Sequence, residues 1–233
     1  MKSSDGSLHP VSFGSQSYTD AAIGARCLAG NRCSFTVWAK NASAVDLRLL
    51  GSPERIVPLV NIGNGYFRAE VENVGPGALY FYRLNHATER PDPASRFQPG
   101  GVHGPSQVVD HSFAWNDDRW FGLSLHKYLI YELHVGTYTL DGTFEAIIPH
   151  LAELSELGVT AIELMPVAQF PGERNWGYDG AYPFAVQNSY GGPAGLKRLV
   201  DACHQVSHGM DRELAAQVQE KARELHLFKQ EIK

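Results

Sequence analysis

The sequence predicts a multi-domain β plus α/β protein: a β-sandwich, then an α/β segment, then an amphipathic helix. Three observations carry this. Short alternating runs separated by turn residues fill the first part of the chain. Two apolar, β-favouring runs follow, each leading into a helix-period pattern. From Met210 the composition shifts to charged, helix-favouring residues.

The elements follow in order. Residues 1–11 are polar, read as a disordered start, and lack the apolar stretch of a secretory signal. Within 12–110, Cys33–Trp38 and Val45–Leu49 alternate, with Asn41 and Ser43 turning between them. Tyr66–Val71 and Leu79–Leu84 are further strands, introduced by Asn64-Gly65 and Gly75-Pro76-Gly77. Short strands at this spacing predict a sandwich of about a hundred residues. Gly- and Pro-rich sequence from Pro91 to Pro105 closes it, and residues 111–127 form an aromatic connector.

The pattern changes at Tyr128. Tyr128–Val135 reads as a buried parallel strand. Thr143 can cap a helix carrying Phe144, Ile147, Ile148, Leu151, Leu154 and Leu157, with Pro149 tolerated in its first turns or as a kink and Gly158 ending it. Val159–Leu164 is the next strand, stopped by Pro166. A long loop leads to a second helix with Pro193 in its first turn and Leu196, Leu199 and Val200 on its apolar side. In the tail, residues 207–233, Leu214, Val218, Leu225, Phe228 and Ile232 fall on heptad spacing, interrupted by Lys221.

Composition excludes several classes. At 233 residues, 43% hydrophobic and 19% charged, the chain is an ordinary folded protein. Its net charge of -5 argues against nucleic acid. No apolar run approaches the ~18 residues of a membrane span, and a cytoplasmic location is the expectation. Cys27, Cys33 and Cys203 cannot all pair, and they read as buried free thiols, although Cys27 and Cys33 can face each other across a turn. His204 and His208 stand at i, i+4 without the glutamate of a zinc helix and are assigned to a solvated helix end. No metal and no cofactor is expected.

The loop after the second strand, Phe170–Gly180, holds Trp176 and Tyr178 beside Asp179 and Arg174. Aromatic faces stack on sugar C–H surfaces while charged groups bond hydroxyls, so these residues suit a carbohydrate. The alternative is that the two rings only pack the loop onto the α/β segment.

Several stretches together resemble the α-amylase superfamily of glycoside hydrolases: Tyr131–Thr137, Leu157–Pro166, Trp176-Gly177-Tyr178-Asp179 and Tyr190-Gly191-Gly192-Pro193. Pro91–Pro99 with Val102–Ser106 is most similar to the maltooligosyltrehalose trehalohydrolase branch. The resemblance runs from about Ser12 to about Gln205. It implies an immunoglobulin-like sandwich (12–110) beside a (β/α) TIM-type barrel truncated to two βα units (128–206). It also implies that Tyr178 stacks under the sugar, that Trp176 and Asp179 shape the pocket, and that the partner is an α-glucan or a maltooligosyltrehalose-type sugar.

Such enzymes retain anomeric configuration with two carboxylates about 5 Å apart. In the family these follow the fourth and fifth strands, and no Asp or Glu of this sequence matches them. The expectation is therefore a chain without catalytic residues, inactive alone. A non-catalytic α-glucan-binding module, a gene remnant, or a piece of a branching or debranching relative are the alternatives. Glu132 and Glu163 are assigned to hydrogen-bonded barrel filling rather than acid–base chemistry. The uncovered barrel edge and the 210–233 helix are expected to promote self-association.

Overall fold

The structure, a computed structural model, describes residues 23–118, 120 and 122–206. The polar start (1–11) and the heptad tail (207–233) lie outside the described residues.

The first strands are β1 (Gly24–Leu28), β2 (Arg32–Trp38), β3 (Val45–Leu50), β4 (Arg55–Pro58) and β5 (Val60–Gly63). They are followed by β6 (Tyr66–Glu72), β7 (Leu79–Leu84), β8 (Thr88–Arg90) and β9 (Ser106–Gln107). Pairing is antiparallel throughout, in one sheet ordered β1-β2-β6-β5 and another ordered β4-β3-β7-β8 with β9 beside β7. Alternation explains the layering: Phe67, Ala69 and Val71 of β6 point inward, as do Leu47 and Leu49 of β3. The two sheets share one core, in which Phe35 meets Tyr80 edge-to-face at 5.0 Å and Tyr80 meets Tyr82 at 5.8 Å. Asn64 (φ 52°) and Gly65 (φ 82°) make the tight β5–β6 turn that their dipeptide announces.

The junction 91–105 packs onto this core through a buried carboxylate. Tyr80 Oη donates to Asp92 Oδ2 at 2.6 Å, and the Asp92 and Ala94 amides donate to Ser106 Oγ and Asp92 Oδ1. Burial pushes the Asp92 carboxyl up to about 6.

The second part contains β10 (Ile130–Leu133), α1 (Val135–Tyr138), α2 (Phe144–Ile147), α3 (Leu151–Glu156) and β11 (Ala161–Leu164). After these come β12 (Ala168–Gln169), β13 (Tyr182–Val186) and α4 (Gly192–Val206). β10 and β11 are parallel, in register Ile130↔Ala161 to Leu133↔Leu164. Phe144, Ile147, Leu151, Ile162, Tyr190, Leu199 and Cys203 centre its core.

Several expectations need correction. The first parallel strand is short and largely exposed at Ile130, Tyr131 and Glu132, because β11 is its only strand partner among the described residues. Val135 already begins a helical turn, with the Tyr138 amide donating to the His134 carbonyl. The helix from Thr143 is capped as expected, the hydroxyl accepting from the Ala146 amide. Pro149, which has no amide hydrogen, then breaks it into α2, a 3-10 turn and α3. Glu132 and Glu163 face each other across the β10–β11 pair, both exposed rather than buried filling. Cys27 is exposed. His204 is fully buried, not solvated: its Nδ1 lies 2.6 Å from Asp117 Oδ2 and its ring stacks on Trp120 at 4.3 Å.

Candidate functional site

The Phe170–Gly180 loop is the span of a hairpin whose arms are β12 and β13, closed by the Ala181 amide donating to the Gln169 carbonyl at 2.8 Å. Beneath it lies a buried amide network. Gln169 Nε2 donates to Gln187 Oε1 at 2.8 Å and to Asn188 Oδ1 at 3.1 Å. Gln187 Oε1 also accepts from the Phe170 amide at 3.0 Å, and Gln187 Nε2 donates to the Gly172 carbonyl at 3.0 Å. Asn188 Nδ2 reaches the Pro99 carbonyl at 3.1 Å, tying the loop's base to the junction. Amides suit this role because each offers donors and an acceptor to an irregular backbone that has no sheet partner.

The tip is held from the strand side. His134, just after β10, places Nε2 2.7 Å from the Asn175 carbonyl, so that nitrogen donates; Nδ1 is then free to accept from the Thr137 hydroxyl at 3.1 Å. Tyr190 Oη lies 3.1 Å from the same Nε2, and burial raises the Tyr190 phenol above its ordinary value, so it stays protonated. Asn175 then organises the next residues, accepting from the Gly177 amide at 2.7 Å and donating to Asp179 Oδ2 at 3.3 Å. Gly177 is obligatory: φ is +94°, and a Cβ there would lie 2.0 Å from the Pro166 carbonyl oxygen.

On this clamped backbone Trp176 is 74% exposed and Tyr178 69% exposed, with Asp179 also open to solvent. Among the described residues, neither ring is buried against the α/β segment. The structure brings Trp176, Tyr178 and Asp179 together on one short arc. Their supports, His134, Asn175, Tyr190, Gln169 and Gln187, were not singled out from sequence. The available signal was polar Gln169 inside the otherwise apolar stretch Val167–Phe170, and Gln187 directly after the apolar Phe184–Val186. Among the described residues, no three His, Cys, Asp or Glu side chains gather as metal ligands do, and no helix is long and apolar enough to cross a membrane.

Residues 107–211 match the alpha-amylase catalytic-domain family. A malto-oligosyltrehalose trehalohydrolase of Saccharolobus solfataricus is 47% identical over 74% of this chain, and one of Deinococcus radiodurans is 42% identical over 86%. The chain matches the N-terminal portion of a malto-oligosyltrehalose trehalohydrolase. It spans about a third of the length of these relatives, 30% and 33% respectively. A 28% identical stretch of a 1,4-alpha-glucan branching enzyme from Corynebacterium diphtheriae is more distant than the trehalohydrolases, in keeping with the junction sequence. Among solved structures, a Salmonella typhimurium protein carrying the provisional name alpha amylase superposes with TM-score 0.75 at 43% identity, covering 79% of this chain and 31% of that one. The group B Streptococcus pullulanase SAP, solved with maltotetraose, shares the fold at TM-score 0.67 and 22% identity, over 79% of this chain and 32% of its own.

Proposed function

We propose that this chain supplies the sugar-stacking platform of a trehalose-releasing α-amylase-family glycoside hydrolase. In this reading residues 12–110 are an immunoglobulin-like sandwich, 111–127 a connector and 128–206 the first two βα units of a (β/α)8 barrel. Trp176 and Tyr178 offer ring faces to a maltooligosyltrehalose or related α-glucan, and Asp179 bonds its hydroxyls. The observation that carries the reading is the combination of exposed rings with a backbone fixed from below and behind. A ring held out into water at the cost of a buried amide network is placed to meet something.

Chemistry is a separate matter. None of the Asp or Glu residues in these 233 residues matches the family's nucleophile or general acid, so the covalent route of a retaining glycosidase is not available to them. A polypeptide of these residues therefore binds weakly and does not cut. Titration with maltooligosyltrehalose, followed by calorimetry and by chromatography of released trehalose, tests both parts. A millimolar constant corresponds to about 4 kcal/mol, and each ring contributes roughly 1 kcal/mol of it. Trp176→Ala and Tyr178→Ala should thus each weaken binding about fivefold, with no trehalose above a no-protein control. Binding indifferent to both changes, or turnover that survives removal of contaminating hydrolases, would overturn the assignment.

A further inference from the structure

Cys27 on β1 and Cys33 on β2 are direct cross-strand partners, both free, with sulfurs 3.8 Å apart. Residues opposed in an antiparallel pair keep their Cα atoms about 4.5–5.5 Å apart, inside the ~4.4–6.8 Å span of a disulfide. Side-chain rotation alone brings the sulfurs to bonding distance. The two thiols differ in access. Cys27 is exposed, whereas Cys33 is fully buried and donates to the Val74 carbonyl at 3.2 Å. Cys203 sits in the other core and takes no part.

We propose that Cys27 and Cys33 form a reversible thiol–disulfide site that staples the edge strand β1 to β2 when the chain meets a small-molecule disulfide. The Cys27 thiol loses its proton and attacks one sulfur of that disulfide, forming a mixed disulfide and releasing one small thiol. The Cys33 thiol then loses its proton and attacks the Cys27 sulfur, expelling the second small thiol. Two protein thiols are oxidised and one external disulfide is reduced to two thiols, so electrons and protons balance. The second step is the slow one. Burial, with Cys27 alongside, holds the Cys33 thiol up to about 12, so little of it is present as the attacking thiolate.

Oxidised glutathione applied to the full chain, followed by non-reducing peptide mapping and amide hydrogen exchange, tests this. The free-thiol titre should fall from three to one, with a Cys27–Cys33 linked peptide and Cys203 free. Exchange at the amides of 25–28 should slow about tenfold or more, as the edge strand loses its independent opening. C33S should stop at a glutathione adduct on Cys27, and C27S should take up no glutathione. A wild-type chain that keeps a stable adduct on Cys27 without linkage, links between two chains, stays fully reduced, or links without slower exchange at β1 would each overturn the proposal.

Discussion

Asp92 carries a carboxyl group to a place that water does not reach, and the cost is visible in its titration. Its value rises from 3.8 to about 6 because burial outweighs the hydrogen bonds from Tyr80 and the Ala94 amide. The protonated form is therefore the one favoured by the fold. A raised acid contributes stability that is fully present below its unfolded value and is lost as pH climbs through the folded one. The window here runs from about pH 4 to about pH 6. Asp92→Asn keeps the acceptor for Tyr80 and removes the charge. The stability difference between wild type and this variant should shift toward the variant as pH rises across that window, by on the order of 2–3 kcal/mol, and be flat above pH 7. Urea midpoints at pH 4.5, 6 and 7.5 check it; a difference independent of pH would show that the carboxyl titrates normally. The same scale holds Gly177, where a single missing methyl decides whether the Trp176–Tyr178 arc can exist at all.

At the scale of elements, the β12–β13 hairpin is the informative case. Its strands are so short that ladder bonds cannot support the twelve-odd residues between them, and the Gln169–Gln187–Asn188 amides take over that role. Gln187→Ala strands the Phe170 amide in a dry interior and takes one of three acceptors from Gln169 Nε2, and it should cost about 1–3 kcal/mol. The denaturation midpoint should drop accordingly, and malto-oligosaccharide binding should weaken with it although Gln187 touches no sugar. An unchanged midpoint would show that the network is not what holds the loop. Legibility follows the same physics. β2 and β3 were readable because apolar residues alternate with polar ones along them, although Ser34, Thr36 and Asp46 are themselves buried, and β6 and β7 because turn residues introduce them. β8 was missed although Asn85 and His86, both at positive φ, form its turn; three residues are too few to alternate. β12 and β13 were hidden inside a long loop because pairing between distant residues leaves no local trace. The Trp-Gly-Tyr-Asp arc was legible by residue type, while its supports were not. Histidine and glutamine that serve by bonding backbone carbonyls look, in a sequence, like any others.

For the whole molecule, the two parts differ in how completely they are covered. The sandwich buries its aromatic interior between two sheets, but the β10–β11 pair leaves Leu129, Ile130 and Tyr131 open, with Leu157 nearby at the end of α3. A parallel pair with an unsatisfied edge and an apolar face tends to acquire a neighbour. A polypeptide of these 233 residues is expected to self-associate at micromolar concentration. Replacing Ile130 and Tyr131 with lysine should reverse this; light scattering that finds a strict monomer in every case would refute it. The connector gives a different kind of consequence. Asn116 bonds to Asp201 across 85 positions of sequence, Asp117 to His204 across 87, and Pro99 to Asn188 across 89. The two sheets, by contrast, are complete once Gln107 has been made. At roughly 5–20 residues per second on the ribosome, some 5–20 s pass between those events. The sandwich is thus a finished body waiting on a loose tether, and α4 is the late-arriving latch that fixes where the rest of the protein will stand.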